Sequence, residues 1–354
     1  MTCSVILKSF NRPWLLGVCL ESIRECLGPD GQVIVADDGT LPDLWAEARR
    51  RYGHLATDWI HSEAGEAKWT LCREGRFAEV VPTCGETWNR AHAAVQADVI
   101  FLIEDDSYLT RRVSAVACAW ALRAVPETLC LIGLAERCAM EDGTGPVGHG
   151  PGSGNAWIEG RDLGWSEHFR MLRHAVWPWS FDGIFYRRAD WDRIGPWPEG
   201  VATGPMEGFV QRRLAELGWM DRSYGVAAAH AGIGGPFCRF DWQTSCRTDH
   251  PSTYAGRFRH VDACNAAWLS GEFVPTYRDV RMGRWPSDRL RSSDGMQLHY
   301  PRALRQINYV TGHELCGELA GEAADARWLS QANAEAARYG EAPWEAVPPE
   351  CRSA

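Results

Sequence analysis

The stretch DVIFLIEDD, residues 98–106, decides the fold. Val99–Ile103 is an unbroken apolar run with no wet face. Such a run is a strand buried on both sides, the habit of parallel sheets covered by helices. It ends abruptly in three carboxylates, Glu104, Asp105 and Asp106. Two earlier runs repeat the pattern. SVILK at Ser4–Lys8 leads into Ser9-Phe10-Asn11-Arg12, and QVIVA at Gln32–Ala36 leads into Asp37-Asp38-Gly39. Helical stretches separate the runs. Leu15–Cys26 carries an apolar stripe at 15, 16, 19, 20 and 23. Leu41–Tyr52 ends in Arg49–Arg51, which suits a helix C-terminus, and Thr87–Gln96 is a third helix. A helix over Val113–Val125 and a strand over Thr128–Leu134 come next. Strand and helix in alternation predict an α/β fold with a mostly parallel central sheet flanked by helices.

Composition narrows the function classes. A chain of 354 residues suggests about two domains. With 45% hydrophobic and 23% charged residues it is globular, not disordered. A net charge of −9 argues against whole-molecule attraction to nucleic acid or anionic lipid. No run of 18 apolar residues occurs, and the opening MTCSVILKSFNRPW breaks at Lys8 and Pro13. Those two features predict a cytoplasmic protein. Thirteen cysteines lie scattered with no C-x-x-C pair, which argues against zinc and for reduced thiols. The basic residues are nearly all arginine, Lys8 and Lys68 excepted, and genomic base composition accounts for that bias.

The later chain is less regular. Residues 142–155, DGTGPVGHGPGSGN, read as a mobile loop. Its G-x-G-x-x-G match at Gly143, Gly145 and Gly148 is followed by more glycine and Pro151, so no dinucleotide-binding helix opens there. Phe209–Leu217 reads as a helix bearing Arg212 and Arg213, and Val226–His230 as a short strand. Beyond about residue 240 the pattern weakens. Arg239–Arg305 holds 11 arginines against 7 acidic residues, a mixed-charge surface or a patch for a phosphate-bearing acceptor such as DNA. Residues 312–339 read as helical, and 343–354 as a tail.

In open α/β sheets ligands bind beyond the C-terminal ends of the strands. Three strands here deliver polar or acidic groups to that edge. Carboxylates gathered together repel, and a divalent cation or a ligand with N–H or hydroxyl donors relieves the repulsion. A diphosphate held through Mg2+ or Mn2+ fits, because hard cations take oxygen ligands and bridge phosphates.

Six blocks in order carry a family likeness: SVILKSFNRP, VIVADDGT, GETWNRAHAAV, DVIFLIEDDSYL, FDGIFYRRADWDRIGPW and PMEGFVQRRLAELGW. Over about residues 2–235 the chain resembles GT-A-fold glycosyltransferases, nearest to family 2. That resemblance implies a GT-A domain over 1–240, with a nucleotide-sugar half at about 1–110 and an acceptor half at about 111–240. A partly helical extension would fill 241–354. It implies donor contacts from Ser9, Asn11, Arg12, Asp37, Asp38, Asn89, Glu104 and Asp105. It implies a divalent cation, Mn2+ or Mg2+, on Asp106 with His230 as a further ligand. Glu207 would be the base, with Arg212 or Arg213 and Gly218 fitting the same block. Trp179, Asp182 and Gly183 would meet the acceptor. Two positions depart from the pattern: Glu104 opens the D-x-D-like triplet, and Gly208 replaces a second acid. Plainer readings stand beside these: an Asx turn at Asp37, a surface position for Asn89, a helix-terminal Glu207, a structural His230 and core packing for the tryptophans.

The activity implied is metal-dependent, inverting transfer of a sugar from a nucleotide-sugar, UDP-linked by default, to an acceptor hydroxyl. Glycan, small metabolite and modified nucleic acid base remain open as acceptors, and the 142–155 loop is a candidate lid. Two other classes compete. A nucleotidyltransferase needs a glycine-rich loop after the first strand, and Ser9–Trp14 has Arg12 but no glycine. A non-catalytic nucleotide- or glycan-binding module would not need Glu207.

Overall fold

The computed structural model describes residues 3–28, 31–74, 76–109, 115–124, 126, 128–132, 157–161, 169–174, 183–201, 203–219, 223–227, 237–239 and 255–281. Its strands are β1 (Ser4–Ser9), β2 (Gln32–Asp37), β3 (Asp58–His61), β4 (Val99–Glu104), β5 (Ser107–Leu109), β6 (Thr128–Ile132), β7 (Trp157–Arg161), β8 (Phe169–His174), β9 (Ile184–Arg187), β10 (Ser223–Ala227) and β11 (Phe237–Arg239). Among the described residues nine of them form one sheet in the order β3-β2-β1-β4-β9-β6-β10-β8-β7. β3, β2, β1 and β4 are parallel neighbours, and β10 is parallel to β6. β9 runs against β4 and β6, and β8 against β10 and β7. The α/β fold with a mostly parallel sheet is therefore what the chain forms.

The unbroken apolar runs feed two cores, because successive strand side chains point to opposite faces. Val5, Leu7, Val33, Val35, Phe101 and Ile103 lie in one core. Ile6, Ile34, Ala36, Ile100 and Leu102 lie in the other. The first is covered by α1 (Pro13–Cys26), α2 (Pro42–Tyr52) and α5 (Ala115–Ala124). The second is covered by α4 (Cys84–Ala94), α6 (Arg188–Ile194) and α7 (Thr203–Glu216). The cysteines at 3, 19, 26, 72, 84, 118, 130 and 264 are buried thiols.

Register aligns the strand ends. Ser9 lies opposite Asp37 and Lys8 opposite Glu104, so the polar ends of β1, β2 and β4 meet at one edge. α1 opens there with Pro13, whose fixed φ suits a first helical position. Arg12 holds the N-cap position without capping through its side chain.

Two features depart from the sequence reading. β3 and α3 (Ala67–Arg73) were not anticipated. α7 opens at Thr203, not Phe209, because Pro205 falls in its first turn, where a missing N–H costs nothing. Glu207 thus lies inside the helix. Its end is as expected: Gly218 adopts φ +67, and Trp219 N–H bonds back to the Leu214 carbonyl at 2.7 Å. After residue 240, where the sequence reads as partly helical, α8 (Ala255–Leu269) and α9 (Tyr277–Arg281) pack against the first core through Cys264, Trp268 and Tyr277. Among the described residues no helix is long and apolar enough to cross a membrane.

Candidate functional site

The edge is built from charged groups in matched sets. The Arg12 guanidinium spans Asp105 and Asp106, meeting Asp105 Oδ1 through Nη2 and Asp106 Oδ2 through Nη1 at 3.3 Å. Asp105 Oδ2 also accepts from Ser9 Oγ and from the Phe10 N–H, each at 3.2 Å. Burial lifts the Asp105 carboxyl to about 7, with Asp106 and Glu104 adding to the rise and Arg12 opposing it. Glu104 pairs with Lys8 at 2.8 Å, and the Lys8 ammonium lies 4.7 Å from the Trp88 ring centroid.

The β2 end is similarly closed. Asp37, fully buried, accepts from Thr40 N at 2.8 Å, Gly39 N at 3.2 Å and Thr40 Oγ1 at 2.5 Å. That is the Asx turn the local sequence suggests. It also meets His61 Nδ1 at 2.7 Å, and His61 Nε2 meets Glu66 at 2.8 Å. Burial pulls the His61 pKa down, but the two carboxylates outweigh it and the net shift is upward. Asp38 pairs with Lys68 at 2.5 Å and accepts from Thr83 Oγ1 at 2.7 Å. Burial raises its pKa against the pull of Lys68. Gly39 is required here: at φ +100, a Cβ would stand 2.2 Å from the Gly65 carbonyl carbon.

Asn11 joins these sets. It takes φ +54, a conformation asparagine tolerates better than most residues. Its N–H donates to Thr40 Oγ1 at 2.7 Å, and its Oδ1 accepts from Leu41 N at 3.3 Å. Its carbonyl accepts from Asn265 Nδ2 on α8 at 3.0 Å. A side chain of α8 thus fixes the loop that carries Arg12. Nearby, Trp69 Nε1 donates to Asp262 on α8 at 2.7 Å.

The anticipated residues separate into groups. Ser9, Asn11, Arg12, Asp37, Asp38, Glu104, Asp105 and Asp106 come together at the β1, β2 and β4 ends. Asn89 does not join them. Its amide reads the Trp197 main chain, accepting from N at 2.8 Å and donating to O at 3.0 Å, and so ties α4 to the 195–199 loop. Gly183 is buried at φ +64, directly before β9. Glu207 lies on α7. Trp179, Asp182, His230 and the 142–155 loop lie outside the described residues.

Sequence reasoning missed Lys8, Lys68, His61, Thr83 and Asn265. One signal was available. Lys8 and Lys68 are the chain's two lysines, and both are buried beside acids of this edge.

Among the described residues no cluster of three or more His, Cys, Asp or Glu is arranged to hold a metal ion. The donor chemistry nevertheless suits a hard cation. Asp105 and Asp106 present adjacent carboxylate oxygens, and a guanidinium already stands across both as a cationic occupant. Mg2+ in particular is commonly held by one or two carboxylates together with substrate phosphates.

No protein-family model matches the chain, and no curated protein sequence does. Solved structures give distant matches. S. aureus TarS 1–349 in complex with UDP-GlcNAc matches at 13% identity and TM-score 0.41, over 96% of this chain and 93% of that one. The mannosyltransferase PcManGT from Pyrobaculum calidifontis, with GDP-Man and Mn2+, matches at 14% and 0.39, over 95% and 80%. Glucosyl-3-phosphoglycerate synthase from Mycobacterium tuberculosis, with Mn2+ and UDP-glucose, matches at 17% and 0.34, over 77% and 79%. Likeness at this level carries no chemistry by itself.

Proposed function

We propose that this protein is a glycosyltransferase that moves a sugar from a nucleotide-sugar to an acceptor hydroxyl with inversion. The observation that carries the reading is the meeting of Asp37-Asp38, Asn11-Arg12 and Glu104-Asp105-Asp106 at the C-terminal edge of three adjacent parallel strands. That edge is where open α/β sheets bind nucleotides. Asp38 would accept from a donor group of the base or ribose, and Arg12 has the planar fork that phosphate recognition uses.

In the proposed reaction Glu207 takes the acceptor proton. The acceptor oxygen bonds to the anomeric carbon as the bond to the diphosphate oxygen breaks, and the nucleoside diphosphate leaves. Asp106, with Asp105 beside it, would hold Mn2+ or Mg2+, which supplies charge neutralisation for that leaving group. Arg12 and the positive end of α1 favour the same negative charge.

The test is release of nucleoside diphosphate from a donor panel, beginning with UDP-GlcNAc, UDP-glucose and GDP-mannose, with Mn2+, Mg2+ or EDTA. Metal-stimulated release from one donor, lost in Asp106→Asn, is the expected result. With an acceptor found, Glu207→Gln should cut transfer about 10²- to 10⁴-fold while donor binding persists. Full transfer by Glu207→Gln would remove the base assignment. Absence of release, together with no thermal stabilisation by any nucleoside diphosphate, would overturn the whole reading.

A further inference from the structure

We infer that Arg12 and a divalent cation are alternative occupants of Asp105 and Asp106, and that the donor diphosphate exchanges one for the other by drawing the guanidinium onto its phosphates. This inference rests on the donor-site reading above.

The geometry is one fork on two acids. Nη1 and Nη2 of Arg12 each take a different carboxylate. The Arg12 side chain is 10% exposed, and those of Asp105 and Asp106 are 0% and 1% exposed. A cation binding these oxygens would stand against the guanidinium in a place with little water to screen the repulsion. The guanidinium already takes Asp105 Oδ1 and Asp106 Oδ2, so a cation on those oxygens is disfavoured on charge and on space while Arg12 is in place. Glu104, the neighbouring acid, is paired with Lys8.

The Arg12 main chain need not move for its side chain to turn. Its main chain is pinned: the Arg12 carbonyl accepts from Leu15 N at 3.0 Å and Leu16 N at 3.1 Å. Asn11, just before it, is held by Thr40, Leu41 and Asn265. Only the long side chain need turn. A diphosphate supplies what the carboxylates supply now, paired anionic oxygens for a planar fork. Arginine moving to phosphate bares two hard oxygen donors for the cation. Cation and diphosphate then favour one another's binding through Arg12, a coupling that is reciprocal by linkage.

The experiment is a Mn2+ titration read by the spin-resonance signal of free Mn2+, on the intact chain and on Arg12→Met, with no nucleotide present. Parallel UDP binding is measured in EDTA by calorimetry. Arg12→Met alone should bind Mn2+ about 5- to 150-fold more tightly than the natural chain alone, the usual range of coupling. In EDTA the same variant should bind UDP more weakly than the natural chain. Arg12→Lys, whose single ammonium cannot span both acids, should fall between on Mn2+ and serves if Arg12→Met does not fold. Equal Mn2+ affinity in the natural chain and either folded variant overturns the exclusion. Unchanged UDP affinity in the variants overturns the exchange. If no nucleoside diphosphate binds either protein, the donor-site reading falls by itself, and the nucleotide-free titration still decides whether Arg12 excludes the cation.

Discussion

His61 and His92 lie under tryptophan rings in the same way and take opposite charge preferences. His61 stacks on Trp45 with centroids 4.7 Å apart, and His92 on Trp191 at 4.3 Å. At the sheet edge both His61 nitrogens face carboxylates, Asp37 and Glu66, and its pKa is raised. Beneath α4, His92 Nδ1 meets the Trp88 carbonyl and Nε2 the Tyr186 hydroxyl, each at 2.7 Å. Burial is the main cause there, and it lowers the His92 pKa to about 4. Equivalent stacking thus leaves the charge to the hydrogen-bonding partners and to desolvation. The same distinction separates the two regions. The edge keeps charges and matches them, whereas the core beneath α4 keeps polar atoms and neutralises them.

The contrast breaks most visibly if one member of a matched set is deleted. Lys68→Met leaves Asp38 facing Thr83 without its cation. Removing one partner of a buried pair costs about 3–5 kcal/mol. Urea unfolding should show a loss of that order, and Asp38→Asn added to Lys68→Met should restore part of it. If the double variant is no more stable than Lys68→Met, the penalty is lost packing against Phe10, over which the Lys68 ammonium lies at 4.9 Å. The neutral core should respond less. His92→Leu removes the ring nitrogens that meet the Tyr186 hydroxyl and the Trp88 carbonyl, for about 1–3 kcal/mol. Adding Tyr186→Phe removes the hydroxyl that met the ring and should recover part of that loss. A cost in His92→Leu above that of Lys68→Met would reverse the ranking of the two regions.

How far this contrast was legible in the sequence depends on what each signal encodes. The apolar runs at 4–8, 32–36 and 99–103 announce buried parallel strands, and the residues just after each run are the polar groups of the edge. Which groups satisfy the acids is a different question. Lys8 reads only as the end of an apolar run, yet it faces Glu104 across β1 and β4. Lys68 lies on the seven-residue α3, too short to show a period. β3 is four residues long and half-buried throughout, so His61 had no visible frame. α8 does carry a helical stripe, with Val261, Cys264, Asn265 and Trp268 buried. Two of those four are small or polar, which hid it. Asn265 still shapes the edge by holding Asn11, and Asn265→Leu should cost about 1 kcal/mol and weaken donor binding. Asn89 shows the converse. Family likeness sends it to the donor, and its amide is spent on the Trp197 main chain.

The finest test of the contrast is pH, because the two histidines should tilt stability in opposite directions. A raised pKa in the folded state means that the native protein binds the proton more tightly than the unfolded chain. The His61 contribution is therefore full below the ordinary imidazole value of about 6.5 and fades as pH climbs through its raised value. A lowered pKa means the reverse. The His92 contribution is full above about 6.5 and fades as pH falls toward about 4, where the buried ring must take a proton it cannot share. Asp105, lifted to about 7, tilts stability the other way across the acid range, so each histidine is read as the difference in thermal unfolding between the natural chain and its variant from about pH 4 to pH 9. His61→Gln should change the slope of the alkaline arm and leave the acid arm as in the natural chain, and His92→Leu should change the acid slope and leave the alkaline one. If His61→Gln leaves the alkaline arm unchanged, the Asp37–His61–Glu66 bridge holds no proton, and the edge is matched by hydrogen bonds alone at that position.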